Sequence, residues 1–400
     1  MANGRFANFY FFYYCTVGII VPYWSLYLQH LEFSATEIGE LTGILVVTKV
    51  FAPYMWAWIA DRMNVNSGQS LSILKWATGA ALASYSLLYL QSASGVGSLP
   101  TSFWFVAFVL FSFSVFWNAC MPQVEAATLN YLGGERHRYG NIRLWGSVGF
   151  IFMVLGLGYA MDSLGPGIIL PVGALCFFMV FVASFLFNGI GVRQRIQISS
   201  VPLKQLLTGQ VMLILVFSTL MQASHAPFYT FFSIYLESYD YTKSHIGWLW
   251  TIGVVLEIGV FLLSYRLFQK YSLASLLSLT FVSAAIRWAI LGLFPETVVL
   301  VWFAQTLHAI SYGLNHAVMM LLIDHFFQGR YQVRGQALYL SVSFGLGGAL
   351  GSVLSGYIWS TAGSNMLFLS ASGLMVLVSI ASLILIKGAL IKVRGPNSAS

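Results

Sequence analysis

About twelve stretches of this chain are each long and apolar enough to cross a bilayer, whose hydrocarbon core takes ~20 apolar residues in a helix. They lie near 7–29, 36–60, 71–91, 102–129, 143–161, 168–190, 210–236, 245–267, 273–293, 298–327, 335–360 and 366–387. By length alone, 400 residues would make two soluble domains. Only 8% of them are charged, against ~25% in a soluble domain. The expected fold is therefore an all-α membrane protein with twelve transmembrane helices. The fourth and tenth stretches exceed a span, which predicts tilt or protrusion into the cytoplasm. Cys15, Cys120 and Cys176 all fall inside spans, as packing residues rather than a disulfide frame or metal site. No cleavage site of small residues follows the first stretch, so it reads as a span and not a removed signal.

The net charge of +7 follows the membrane and is no nucleic-acid signal. Arg5, Arg62, Lys75, Arg136, Arg138, Arg143, Arg193, Arg195, Lys204, Arg266, Lys270, Arg330, Arg334, Lys387, Lys392 and Arg394 fall on one set of loops and helix ends. The opposite loops hold Lys243 beside Glu32, Glu37, Asp162, Glu237, Asp240 and Glu296. The positive-inside rule then puts both termini in the cytoplasm and requires an even number of spans. A multi-pass protein of the inner (cytoplasmic) membrane is expected.

The connections are short except Gly191 to Thr208, which is basic and polar. It separates an N-terminal six-helix half, 1–190, from a C-terminal half, 209–400, with 191–208 as a cytoplasmic linker. The halves echo each other. Ser25-Leu26-Tyr27-Leu28 matches Ser233-Ile234-Tyr235-Leu236, and Ile38-Gly39-Glu40-Leu41 matches Ile246-Gly247-Trp248-Leu249. Tyr27 to Tyr235 and Ile38 to Ile246 are both 208 residues apart, a constancy that favours a repeat over chance likeness between apolar helices. The same offset carries Lys49 onto Glu257. Parallel halves of this kind place a substrate site between them near the midplane.

Lys49, Glu125, Glu257 and Arg287 stand deep inside apolar stretches. Each costs at least ~2.5–3.5 kcal/mol to insert, so such residues face a water-filled path or one another. They point to a solute pathway. Histidines at depth, His225, His308 and His316, carry protons or simply bond neighbouring helices. The Gly345, Gly347, Gly348, Gly351 and Gly356 series reads as close helix packing. Tyr23 and Trp24, beside Pro22, read as cavity residues, and the aromatic run from Phe9 to Tyr14 as core or lipid-facing. No Walker loop, metal-ligand cluster or nucleophile elbow is present. An enzyme would want its acids, histidines and cysteines clustered at a membrane surface, and here they are scattered at depth.

Trp58-Ile59-Ala60-Asp61-Arg62 resembles a reduced form of the loop signature of the major facilitator superfamily, which implies a gating role for Asp61 and Arg62. Asn118-Ala119, Pro122, Val124-Glu125-Ala126 and Arg143-Leu144-Trp145-Gly146-Ser147-Val148-Gly149-Phe150 resemble its lactose-permease branch. That resemblance implies a substrate-binding pair of Glu125 and Arg143, with Phe150 stacking on the solute. The chain departs from the branch where a tenth-span acid is Ser311 and where Val254 stands one turn before Glu257. Over nearly all spans it is more similar to the 3-phenylpropionate permease branch. The matching segments are Tyr139–Gly149, Ser224–Tyr229, Gly253–Glu257, Ile286-Arg287-Trp288 and the two histidines His308 and His316.

The resemblance implies a fold of two pseudo-symmetric six-helix halves and a proton-driven symporter, acting as a monomer without a cofactor. Its expected solute is a small aromatic monocarboxylate, and a sugar or nucleoside is the alternative. Arg143 with Glu125, then Lys49, would receive the carboxylate, and Phe150, Tyr23 and Trp24 would flank the ring. Glu257 would carry the proton, with His308, Arg287, His225 and His316 as partners.

Overall fold

A computed structural model describes residues 2–63, 72–93, 101–187 and 207–390, and within them every regular element is helical. The helices are α1 (Ala2–His30), α2 (Ala35–Met63), α3 (Ser72–Ala93), α4 (Phe103–Leu132), α5 (Tyr139–Leu164), α6 (Ile169–Ser184), α7 (Gly209–Glu237), α8 (Lys243–Lys270), α9 (Leu273–Leu293), α10 (Val298–Phe326), α11 (Gln332–Ala362) and α12 (Ser364–Leu390). Eleven are long and apolar enough to cross a membrane. The twelfth, α3, is 22 residues long and is less apolar because it carries Lys75, Gln91 and several small polar residues. The spans thus fall where hydropathy puts them. The 191–208 linker lies outside the described residues apart from Leu207 and Thr208.

Local chemistry sets the helix ends. Ser34 and Glu37 form a reciprocal N-terminal box for α2, Ser34 N–H donating to Glu37 Oε2 at 2.9 Å and Glu37 N–H to Ser34 Oγ at 3.4 Å. Thr208 and Ser272 cap α7 and α9. Gly165 (φ 78°) and Gly363 (φ 91°) stop the fifth helix of each half, α5 and α11, in a conformation that costs a side chain dearly.

The repeat extends to backbone geometry. Glu32, between α1 and α2, and Asp240, between α7 and α8, both sit at φ 63° and are 208 residues apart. Phe33 N–H donates to Leu28 O at 3.2 Å, and Tyr241 N–H, at the same offset, to Leu236 O at 3.1 Å. A left-handed non-glycine residue is costly enough to be uncommon. Its recurrence at one register makes the two tight turns one structural motif used twice.

Packing divides the chain into two compact units: Met1–Ile196 with Thr242–Gly247, and Gln197–Tyr241 with Trp248–Ser400. In the first unit α1 packs on α5 and α6, and α3 on α4 and α6. In the second, α7 packs on α11 and α12, and α9 on α10 and α12. The same pairs meet in each. Glycines make the seams: a Cβ on Gly347 or Gly351 would stand 2.7 Å from Thr219 O or 2.6 Å from Ala226 Cβ of α7. Proline interrupts α1, α2, α4 and α7, while α10 and α11 contain π-helical turns at Ala309–Leu314 and Leu340–Gly347.

Candidate functional site

In the first unit, α4 supplies Glu125 and α5 supplies Arg143, both half-buried. Among the described residues no ion pair within 4.0 Å joins them. The direct pair expected from the resemblance is replaced by tyrosines. Arg143 Nη2 donates to Tyr14 Oη, and its guanidinium lies 4.1 Å from the Tyr14 ring centre and 5.5 Å from that of Tyr10. Glu125 Oε1 accepts from Tyr139 Oη at 3.4 Å. Arginine suits such a seat, because its planar ion stacks on rings while its edges keep donors free. Gly146 leaves the room, since a Cβ there would stand 2.7 Å from Arg143 Nη1.

Lys49 occupies the middle of α2. Its side chain is accessible and meets no hydrogen-bond or ion-pair partner among the described residues. It is deep in sequence but not enclosed in its own unit.

The second unit gathers Glu257 (α8), Arg287 and Trp288 (α9), His225 and Phe228 (α7) and Gln305, His308 and Tyr312 (α10). Glu257 Oε2 lies 3.9 Å from His308 Nε2, beyond a hydrogen bond but within ion-pair reach. Two glycines allow this approach: a Cβ on Gly313 would stand 2.8 Å from Glu257 Cγ, and one on Gly253 would stand 3.2 Å from His308 Cδ2. His308 stacks on Tyr312, centroids 5.1 Å apart at 9°. His225 Nδ1 lies 2.9 Å from Met221 O. A carbonyl only accepts, so that nitrogen carries the hydrogen, and the neutral ring presents Nε2 as an acceptor. Nε2 is buried without a partner.

Arg287 is wholly buried. Its Nη2 donates to Gln305 Oε1 at 3.1 Å, and its guanidinium sits 4.2 Å from the Phe228 ring centre and 4.4 Å from that of Trp288. Its Nε and Nη1 have no partner, and no acid lies within 4.0 Å among the described residues. A buried ion loses several kcal/mol of hydration. Ring contacts return ~2 kcal/mol and the one charged hydrogen bond about 1.5–3. The guanidinium is left short of negative charge.

Other sequence candidates hold helices together. Tyr23 Oη donates to Val154 O at 2.7 Å, fastening α1 to α5, and Trp24 packs against Tyr27 and Tyr85; both are almost fully buried. They are seam residues in this state, not open cavity walls, because the small residues of α5 let α1 settle on it. Phe150 is buried in the same α1–α5 seam, its carbonyl 3.0 Å from where a Gly18 Cβ would stand. His316 Nδ1 lies 3.3 Å from Tyr339 Oη and stacks on that ring. Arg62 is exposed and covers the Trp58 ring at 3.9 Å; the Asp61 side chain lies outside the described residues. Sequence reading missed Tyr14, Tyr139 and Gln305. Gln305 is legible in retrospect as an amide one helical turn before His308 in an apolar span. Among the described residues no group of His, Cys, Asp and Glu side chains has metal-binding geometry.

Residues 4–370 match the model of the MFS_1 like family. The chain is 28% identical over 379 residues to a "Probable 3-phenylpropionic acid transporter" of Escherichia coli (strain K12), covering 90% of this chain and 92% of that one. It is 24% identical to a "Maltose permease" of Geobacillus stearothermophilus, over 94% of each. Among solved structures it is similar to a mutant of the nucleoside transporter NupG, with a TM-score of 0.85 at 15% identity, covering 96% of this chain and 99% of that one. A bacterial homologue of the lysosomal transporter Spinster, in an inward-facing conformation, gives 0.74 at 12% identity, over 99% and 98%. These structural likenesses are of fold.

Proposed function

The chain belongs to the MFS_1 like family, and we propose that it imports a small aromatic monocarboxylate of the 3-phenylpropionate type together with a proton, by alternating access. It is a multi-pass major facilitator transporter and not an enzyme. One observation carries the solute class: each unit seats an arginine against aromatic rings, Arg143 near the start of α5 on Tyr10 and Tyr14, Arg287 within α9 on Phe228 and Trp288. Fixed cations beside ring faces suit a solute that is itself a ring bearing a carboxylate. The likeness to a protein named for 3-phenylpropionic acid supports the same reading.

Lys49 adds an accessible cation on α2. The Glu257–His308 pair supplies titratable groups for proton transfer, and one proton entering with one monoanion makes transport electroneutral. Asp61 and Arg62 at the end of α2 would latch one conformation. The transporter works as a monomer in the inner membrane, without a cofactor, on the energy of the proton gradient. The expected result in proteoliposomes is uptake of 3-phenylpropionate driven by an inward proton gradient, with its uncharged amide neither transported nor competing. Uptake of a sugar or nucleoside with indifference to carboxylates would sink this reading and install the alternative, to which the maltose permease likeness lends some support.

The orientation is testable separately. A reporter fused after Ser400 is expected in the cytoplasm and one inserted near Ser94 in the periplasm, as the basic loops dictate. Both on one side would overturn the span count.

A further inference from the structure

The proposed solute needs a counter-charge, and three cations within the helices offer it in different degrees. Arg143 already donates to Tyr14. Lys49 stands accessible on α2, where nothing fixes its direction. Arg287 is enclosed, immobilised and unsatisfied. Because an arginine only donates, the amide of Gln305 must face it with oxygen, which fixes Gln305 Nε2 as the free end. That nitrogen, Arg287 Nε, Arg287 Nη1 and Trp288 Nε1 are all buried and all lack a partner. Each is a donor. Three neighbouring residues on α9 and α10 therefore present several N–H groups and a positive charge; His225 Nε2, also unpartnered, is a neutral acceptor and brings no counter-charge.

Water would satisfy donors but not the charge. The Phe228 and Trp288 rings lie 4.2 Å and 4.4 Å from the guanidinium carbon, and a carboxylate would bind its edge with two parallel bonds. The surrounding rings, Phe228 with Trp250 at 4.3 Å and His308 with Tyr312 at 5.1 Å, are aromatic walls suited to an aromatic body. The site is shut in this state, and two irregular segments adjoin it. Pro227 lies between His225 and Phe228 in α7, and the π turn Ala309–Leu314 begins directly after His308 in α10. Helices bend at such points, and π turns are frequent at functional sites.

We infer that Arg287, Gln305 and Trp288 form the subsite that receives the carboxylate of the transported solute. The inference rests on the aromatic-acid reading above and assigns its anion to the second unit.

The test is binding to the purified, detergent-solubilised full chain, read by thermal shift and by titration with 3-phenylpropionate, its amide and sodium chloride. Gln305→Glu is nearly isosteric and places a built-in carboxylate beside Arg287. The expected result is a higher melting temperature without ligand, together with 3-phenylpropionate affinity about ten- to a hundredfold weaker. Trp288→Phe, which keeps a ring and removes the indole N–H, should weaken binding several-fold and keeps the inference testable if the first variant does not fold. Wild-type affinity in both variants overturns the subsite and leaves the aromatic-acid reading standing, with Arg143 or Lys49 as the anchor. Chloride stabilising the wild type while 3-phenylpropionate does not would overturn it as well. No carboxylate binding at all, with a neutral solute bound instead, is a different failure, that of the solute reading itself.

Discussion

Glu257→Gln is expected to abolish accumulation of solute against its gradient while leaving exchange of internal for external solute intact. Glu257 is the acid set deepest in the C-terminal half, and its Oε2 stands 3.9 Å from His308 Nε2. Glutamine has the shape of a protonated glutamate, so it fits the space that Gly313 leaves for the side chain. Binding and reorientation then survive. Release of the proton cannot occur, and the driving force is disconnected from the solute. In proteoliposomes with an imposed pH gradient the accumulation ratio should fall to about one, while counterflow of labelled solute continues near the wild-type rate. Each intramembrane ionisable residue is costly enough to make such a role the default hypothesis. Undiminished accumulation in the variant would move the proton to Glu125 or to a histidine. Loss of counterflow as well would mean that Glu257 holds the fold or the solute and not only the proton.

Which stretches form membrane-length helices was legible in the sequence, and azimuth was not. Hydropathy located the spans because burial in lipid requires long apolar runs, and α3 is the weak signal because it carries more polar residues. The repeat was legible because two turns share one backbone solution, seen at Glu32 and Asp240. Pairing is a different matter. Helices that are apolar all round have no amphipathic stripe to say which face meets which neighbour. Hence Arg143 was expected to meet Glu125 and instead meets Tyr14, one of an aromatic run that reads equally as core or as lipid contact. Tyr23 and Trp24 were expected beside the solute and are spent fastening α1 to α5 and α3. Lys49 and Arg287 look alike in sequence, each a lone cation in an apolar run. The structure leaves one accessible and encloses the other. Only the rotation of each helix about its axis separates them.

That rotation is held by glycines, and Gly149→Ala should be the most disruptive small change in the first unit. A Cβ on Gly149 would collide with the Phe11 carbonyl oxygen and would stand 2.9 Å from the carbonyl carbon and 3.0 Å from Cα of the same residue. These are backbone atoms, so no rotamer relieves the clash and α1 must move away from α5. The move would stretch a seam that includes Cys15 Sγ to Gly149 O at 3.3 Å and Tyr23 Oη to Val154 O at 2.7 Å. It would also shift Tyr14 away from Arg143. Overpacking of this kind costs ~1–3 kcal/mol and occasionally more, and here the backbone contact places it at about 3 kcal/mol or above. The matched control is Gly156→Ala in the same helix, where a Cβ meets nothing within 4 Å. Alanine exceeds glycine in helix propensity by roughly 0.8–1 kcal/mol, so the control should melt at or above the wild-type temperature. The measurement is thermal unfolding of both variants in one detergent, followed by size-exclusion recovery after heating. Equal melting of the two variants would mean that α1 and α5 are not held by backbone contact at Gly149, and the close seam that orients Tyr14 toward Arg143 would have to be abandoned.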